Sequence, residues 1–152
     1  MANTSLSEVY DLFMATITDY RLIALFNTSE PDFEDYLQPF LDYAIVDFYV
    51  CDQDLNYDET SKLFPVVLSR DNKIILATLM MKYWLQKTVN DVTQFNLHIT
   101  DRDFKVASEA QNFREKVTAL NVVKEQCSQM LNDYSYRRVD WADWYGQSFS
   151  GL

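Results

Sequence analysis

Residues 51–59 have the sequence CDQDLNYDE and concentrate oxygen-bearing side chains that could bind calcium. They alternate as the first, third, fifth and seventh positions of an EF-hand loop do: Asp52, Asp54, Asn56 and Asp58. Counted from Asp52, the sixth position requires glycine but is Tyr57, and the twelfth requires glutamate but is Leu63. We therefore predict a solvated acidic turn and no high-affinity calcium site. Weak binding of divalent cations is the alternative.

Other side chains that could carry chemistry are few. His98 is the one histidine in the sequence, and Cys51 and Cys127 are far apart, so the set of soft ligands that a zinc site needs is missing. The sequence has two glycines, both after residue 145, which cannot build a phosphate-binding loop. We expect neither an enzyme nor a cofactor. A helical enzyme without a recognisable motif is the alternative.

Charge is distributed unevenly along the chain. The formal net charge is −10, from 13 basic and 23 acidic residues, and no basic residue lies between Arg21 and Lys62. A negative field of this kind repels phosphates within the screening length, which argues against sequence-specific binding of DNA or RNA. The densest part of this acidic block should act through its field, facing solvent or a channel: Asp52, Asp54, Asp58 and Glu59.

The apolar spacing in the first half of the chain predicts two helices. A capping-box sequence opens at Ser5, and apolar residues then recur at steps of three and four through Phe26. Ser29 is suited to cap a second helix, which we expect to end near Tyr49. Pro39 removes a backbone donor inside this helix, so we expect a kink there or two shorter helices.

The middle of the chain predicts an irregular region followed by a buried helix. Residues 50–69 contain the apolar run LFPVVL, which could form a strand, a helical turn or a buried loop. From Ser69 to about Val89, apolar residues form a broad face, which predicts a central third helix. Within it we expect Leu79 and Trp84 to be buried.

The following stretch, NDVTQFNLHI, is interpreted as a connection to a fourth and longest helix. This helix should begin at Thr100 or Ser108 and continue to Tyr134. Its apolar residues alternate at steps of four and three, and Lys124 interrupts them where the heptad predicts an apolar side chain. The scarcity of glycine and proline also favours helices over hairpins.

These patterns predict a mainly α, single-domain helical bundle of about four helices over residues 1–138, with an extended C-terminal arm over residues 139–152. The arm keeps large aromatic side chains after helical spacing ends, and such side chains often anchor interfaces. Two neighbouring guanidinium groups would add contacts to carboxylates. The expected partner-binding residues are Arg137, Arg138, Trp141, Trp144, Tyr145 and Phe149. Packing of the arm on its own bundle is the alternative.

Three segments within residues 70–138 resemble the head-to-tail connector, or neck adaptor, proteins of tailed bacteriophages: IILATLMMKYWLQ, ITDRDFKVASEAQNFREKV and YSYRR. The resemblance implies a non-enzymatic virion protein at the head–tail interface, made in the host cytoplasm. It implies a homo-oligomeric ring, commonly of twelve copies, beneath the portal. The portal and the next neck or tail protein would be its partners, and DNA would pass without sequence-specific binding.

An acidic helical binding protein is the alternative from a different functional class. Such a protein would mimic nucleic acid, or inhibit a basic partner, through residues 30–59. Flanking portal, capsid and tail genes would favour the connector, whereas antirestriction or regulatory genes would favour the alternative. No run of 18 apolar residues occurs in the sequence, so we expect no membrane partner.

Overall fold

A computed structural model describes residues 3–98 and 106–139, with the side chains of residues 3–91 and 110–139. The described chain forms five helices: α1 (Leu6–Thr16), α2 (Tyr20–Thr28), α3 (Glu30–Asp47), α4 (Arg70–His98) and α5 (Val106–Tyr136). It contains no strand beyond isolated bridges. The predicted mainly helical bundle is confirmed.

The first predicted helix is in fact two helices. The capping box at Ser5 is present and starts α1. Ile17 adopts an extended conformation and ends α1, and the carboxylate of Asp19 then accepts hydrogen bonds from the N–H groups of Arg21 and Leu22 to start α2. The prediction of one helix was wrong because the apolar spacing continues across the break, while Asp19 supplies a local cap that spacing does not reveal.

Ser29 alone joins α2 to α3. Its N–H donates to the carbonyl of Leu25 at 2.8 Å, and its side chain accepts a hydrogen bond from the N–H of Asp32 at 3.4 Å. The predicted cap at Ser29 is therefore confirmed. Helix α3 then continues through Pro39 to Asp47 without a break, so the predicted division into two shorter helices is not observed.

Residues 50–69 form an irregular segment that is fastened to the N-terminal residues. Thr4 bonds to it at three points: its N–H donates to Val66 O at 3.3 Å, its carbonyl accepts from Phe64 N–H at 2.8 Å, and its Oγ1 accepts from Leu68 N–H at 2.8 Å. Phe64 and Leu68 are fully buried. LFPVVL is therefore an irregular loop, neither strand nor helical turn, and it is buried only at Phe64 and Leu68, since Pro65 and Val67 are exposed.

Helix α4 is the central element, as predicted, because it packs against α1, α3 and α5. Leu76, Leu79 and Met80 are buried along it. Trp84 is only half-buried, contrary to the prediction, and packs edge-to-face on Phe13 with 6.3 Å between ring centroids. One hydrophobic core includes residues of all five helices.

The ends of the two long helices differ from the prediction. Helix α4 continues to His98, so the stretch predicted as a connection is helical through residue 98; it contains no glycine or proline to stop the helix. Ser108 lies inside α5 and does not cap it, and Thr100 falls outside the described residues. At 31 residues α5 is the longest described helix, as predicted.

Among the described residues, no helix is both long enough and apolar enough to span a bilayer.

Candidate functional site

The acidic stretch, residues 51–59, follows α3 and meets the start of α4 and the end of α5. A turn closed by Cys51 N–H and the carbonyl of Phe48, at 3.0 Å, leads the chain from α3 to Asp52. Phe48 is buried beneath this turn and packs edge-to-face on Tyr134 of α5, with 5.0 Å between centroids. Leu55 is also buried, whereas the acidic side chains of the stretch are exposed. The stretch is therefore anchored by apolar residues and presents its charges outward.

Asp52 connects three segments of the chain. Its carboxylate accepts hydrogen bonds from the Tyr134 hydroxyl and from Asn72 Nδ2, the latter at 3.1 Å. Its Oδ2 also forms an ion pair with Arg138 Nη2 at 2.5 Å. The Arg138 guanidinium in turn lies over the Tyr134 ring, 5.1 Å from the centroid. We call these four residues the Asp52 junction, because they join the acidic stretch to the start of α4 and the end of α5.

The junction favours the ionised form of Asp52. Hydrogen bonds from Tyr134 and Asn72, with the charge of Arg138, hold the pKa of Asp52 below its ordinary value of 3.8. Burial, and the hydrogen bond to Asp52, raise the pKa of the Tyr134 hydroxyl. A carboxylate that serves as a general acid needs a raised pKa. Asp52 therefore acts as a fixed anionic acceptor.

The side chains of Gln53 and Asn72 link the acidic stretch to the residues at the start of α4. Gln53 Oε1 accepts hydrogen bonds from Ser69 N–H and Asn72 Nδ2, both at 2.7 Å, and Gln53 Nε2 donates to Val67 O at 2.8 Å. The side chain of Ser69 accepts from Asn72 N–H at 3.2 Å and so caps α4. Sequence reasoning missed Gln53 and Asn72, because neither belongs to a motif.

The other acidic residues of the stretch serve local turns. Asp54 accepts hydrogen bonds from the N–H and the Nδ2 of Asn56, at 2.9 and 2.8 Å. Asp58 accepts from Ser61 N–H at 3.0 Å, and hydrogen bonds from the side chain and backbone of Ser61 lower the pKa of Asp58. Glu59 is exposed. Within the part of the chain that the structure describes, no group of three or more His, Cys, Asp or Glu residues is placed to hold a metal ion.

A chain of polar contacts ties the acidic stretch to α3. Lys62 Nζ donates to Gln38 Oε1 at 2.6 Å, and Gln38 Nε2 donates to the Tyr57 hydroxyl at 3.0 Å. Tyr57 donates in turn to Asp42 Oδ1 at 2.7 Å. Burial and the Asp42 carboxylate raise the pKa of Tyr57. Lys62, the basic residue that ends the acidic block, is therefore hydrogen-bonded to α3.

Of the predicted partner-binding residues, the structure describes Arg137 and Arg138. Arg137 lies 3.9 Å from Asp71 Oδ2 in a highly exposed ion pair, and Arg138 binds Asp52. Both arginines therefore pair with carboxylates of the same chain. The aromatic residues of the predicted arm lie outside the described residues: Trp141, Trp144, Tyr145 and Phe149. That they bind a partner stays a prediction.

The surface of α3 carries acidic and aromatic side chains together. Its exposed acidic residues are Glu30, Asp32, Asp35 and Asp42. Large apolar side chains are exposed near its C-terminal end, with Tyr43 at 59%, Val46 at 72% and Tyr49 at 83% exposure.

A groove of about 370 Å³ opens between α4 and α5, and we call it the α4–α5 groove. Tyr83 forms one wall and stacks on Tyr43 of α3, with 5.1 Å between centroids. Asp47 accepts hydrogen bonds from the Lys82 ammonium and, at 2.8 Å, from the Tyr83 hydroxyl. Burial alone would lower the pKa of Lys82, but the Asp47 carboxylate outweighs it and raises that pKa.

Lys124 lies on the α5 side of this groove. It is the residue that interrupts the apolar spacing of the fourth predicted helix, and its side chain is exposed. Its ammonium forms no ion pair or hydrogen bond with the described residues. Cys127 and Leu131 follow it along the groove, and burial raises the pKa of the Cys127 thiol.

The contacts of the site hold segments of the same chain together. At the Asp52 junction and along the Tyr57 contacts, the carboxylates, amides and phenols bond to one another across segments. Comparison with known proteins adds nothing to this picture, since no family model, no curated protein and no solved structure matches the chain.

Proposed function

We propose that the chain is a structural ring subunit that joins the portal of a phage capsid to the tail and lines the DNA channel. The observation that carries the proposal is the Asp52 junction. It fixes the end of α5 beside the acidic stretch, so the aromatic residues after Arg138 start from a defined point on an acidic surface. A connector subunit needs both features, a surface that does not hold DNA and an attachment to its neighbours.

The acidic surface supports the channel role. The exposed carboxylates of α3 and of residues 51–59 lie in an interval without a basic residue, from Arg21 to Lys62. Phosphates approaching such a surface are repelled within about 10 Å at 0.1 M salt. Binding to DNA depends on basic side chains that neutralise phosphates, and the two that lie beside this surface, Arg138 and Lys62, are bonded to Asp52 and Gln38. A duplex could therefore slide past it.

The arm supports the attachment role. Three large aromatic residues, Trp141, Trp144 and Tyr145, fall within five positions directly after the junction. A buried aromatic side chain covers roughly 150–250 Å², so a few rings can hold two subunits together. Because Arg138 is bound to Asp52, less freedom is lost when the arm binds than for an arm leaving a frayed helix end.

The experiment first identifies the portal gene that the proposal expects beside the gene of this chain, and then combines that portal protein with the full chain. Light scattering and negative-stain electron microscopy should show a ring on the portal. A variant truncated after Arg138 should keep its helical circular dichroism and no longer assemble. Loss of the helical signal would place the arm in the subunit's own core, and normal assembly would make it dispensable. Either result would contradict the anchoring role.

A second candidate is an acidic binding protein that occupies a basic partner. The exposed carboxylates of α3 favour it, because they lie together on one helix and are not paired with a cation among the described residues. Such a protein would remain small in solution and would displace DNA from a basic DNA-binding protein. A competition experiment with labelled duplex measures this, and displacement without assembly on the portal would favour the second candidate over the first.

A further inference from the structure

We infer that the α4–α5 groove is the receptor for residues 139–152 of a second copy of this chain. The inference rests on the proposed ring and names the surface that would receive the arm. In a ring, each copy offers an arm to one neighbour and a groove to the other, which is a heterologous interface.

The shape and lining of the groove suit aromatic side chains. The ring of Tyr83, which is held by stacking on Tyr43 of α3, supplies an aromatic wall, and Leu131 supplies apolar surface. A volume of about 370 Å³ lies near the lower end of the range for ligand pockets, which is enough for a few side chains. An indole ring placed against Tyr83 would gain from both stacking and burial.

The charges of groove and arm are complementary. Lys82 and Lys124 are the charged residues that line the groove, and Asp47 already neutralises Lys82. Lys124 is left as an exposed cation beside apolar surface. The arm has Asp140 and Asp143 among its aromatic residues and no basic residue after Arg138. Opposite charges at an interface favour the correct partner and speed association.

A second copy is a better source of the arm than the same chain. On α5 the groove lies at residues 124–131, roughly 10–20 Å back along the helix from Arg138. The arm would have to reverse direction to reach it. Its first glycine is Gly146, after all three of the clustered aromatic residues, and it has no proline. Neither glycine nor proline, two residues that favour tight turns, therefore precedes the clustered aromatic residues of the arm.

The test measures, by fluorescence anisotropy, binding of a fluorescein-labelled peptide of residues 139–152 to the full-length chain. The chain is diluted until light scattering shows single subunits, so that no neighbour's arm fills the groove. We expect saturable binding that weakens at high salt. The variant Lys124→Glu should bind the peptide about tenfold more weakly, because it places like charges together. The matched control is Arg21→Glu, which makes the same charge change at an exposed residue of α2 that forms no ion pair with the described residues. It should bind as the unaltered chain does.

A charge exchange makes the test specific to this pair of surfaces. A peptide carrying Asp143→Lys should bind the Lys124→Glu chain more tightly than it binds the unaltered chain. Circular dichroism checks that each variant is folded, and Lys124→Gln replaces Lys124→Glu if the latter is not. The inference is overturned if the peptide does not bind, if the groove variant binds it unchanged, or if both charge variants weaken binding equally.

The result of the peptide-binding test can be distinguished from the result of the portal-assembly test of the proposed function. Peptide binding that depends on Lys124, without any assembly on a portal, would support the groove and contradict the connector. Assembly on the portal without peptide binding would support the connector and contradict the groove.

Discussion

The Asp52 junction and the α4–α5 groove are both built on the C-terminal half of α5, and they treat charge in opposite ways. Asp52 is bonded to a phenol, an amide and a guanidinium from distant segments. Lys124, ten residues before Tyr134, has no partner for its ammonium among the described residues. The difference has a physical consequence, because the paired Asp52 carboxylate holds three segments together, whereas the Lys124 ammonium is exposed to solvent and holds none of the described residues in place.

The largest effect should come from the core beneath both regions. Leu79 is buried on α4, so Leu79→Ala should lower the free energy of unfolding by about 2–5 kcal/mol, since it removes apolar contacts and leaves a cavity. Urea unfolding followed by circular dichroism measures this. The control is Val122→Ala on α5, exposed at 61%, which should change stability by less than about 0.5 kcal/mol. A similarly small change at Leu79 would show that this face of α4 is not core.

The second largest effect should distinguish two carboxylates of the acidic stretch, those of Asp52 and Asp54. Asp52→Ala should cost about 1–2 kcal/mol, because it removes two charge-assisted hydrogen bonds and an ion pair that are partly exposed to solvent. Asp54→Ala removes only contacts to Asn56 and should cost less than about 0.5 kcal/mol. Equal losses would mean that the junction adds nothing beyond a local turn.

The pH dependence of stability should show the same contrast. The pKa of Asp52 is lower in the folded chain than its ordinary value of 3.8, so its contribution is fully present above that value. It is lost as the pH falls from about 4 through the lowered folded pKa. Asp52→Asn should therefore lose less stability than the unaltered chain over this range. Parallel curves from urea unfolding at pH 5 down to pH 3 would contradict this.

The smallest effect is expected in the groove. Lys82→Ala leaves the half-buried Asp47 carboxylate without its cation and should cost about 1 kcal/mol. Lys124→Ala breaks no contact with the described residues and should change stability by less than about 0.5 kcal/mol. Thermal unfolding of the two variants compares them. A large loss at Lys124 would show that its side chain supports the fold, and it would weaken the case for a docking surface.

Local patterns in the sequence were sufficient to predict a mainly helical fold and the caps at Ser5 and Ser29. Capping depends on residues within one turn, and apolar spacing reports which face of a helix is buried. The burial of Leu79 and the central place of α4 were predicted for the same reason. The cap at Asp19 was equally local and could have been found from the acidic residue before Tyr20, although continuous apolar spacing concealed the break.

Only the tertiary structure decided which polar groups meet. Tyr134 and Asp52 are 82 residues apart, and Asn72 lies 20 residues from Asp52. The course of residues 64–68 likewise depends on Thr4, which is more than 60 residues away from Leu68. Nothing in the sequence near any of these residues identifies its partner. Such contacts form because helix packing brings distant polar groups together, and a buried donor such as Asn72 Nδ2 must then find acceptors within the fold.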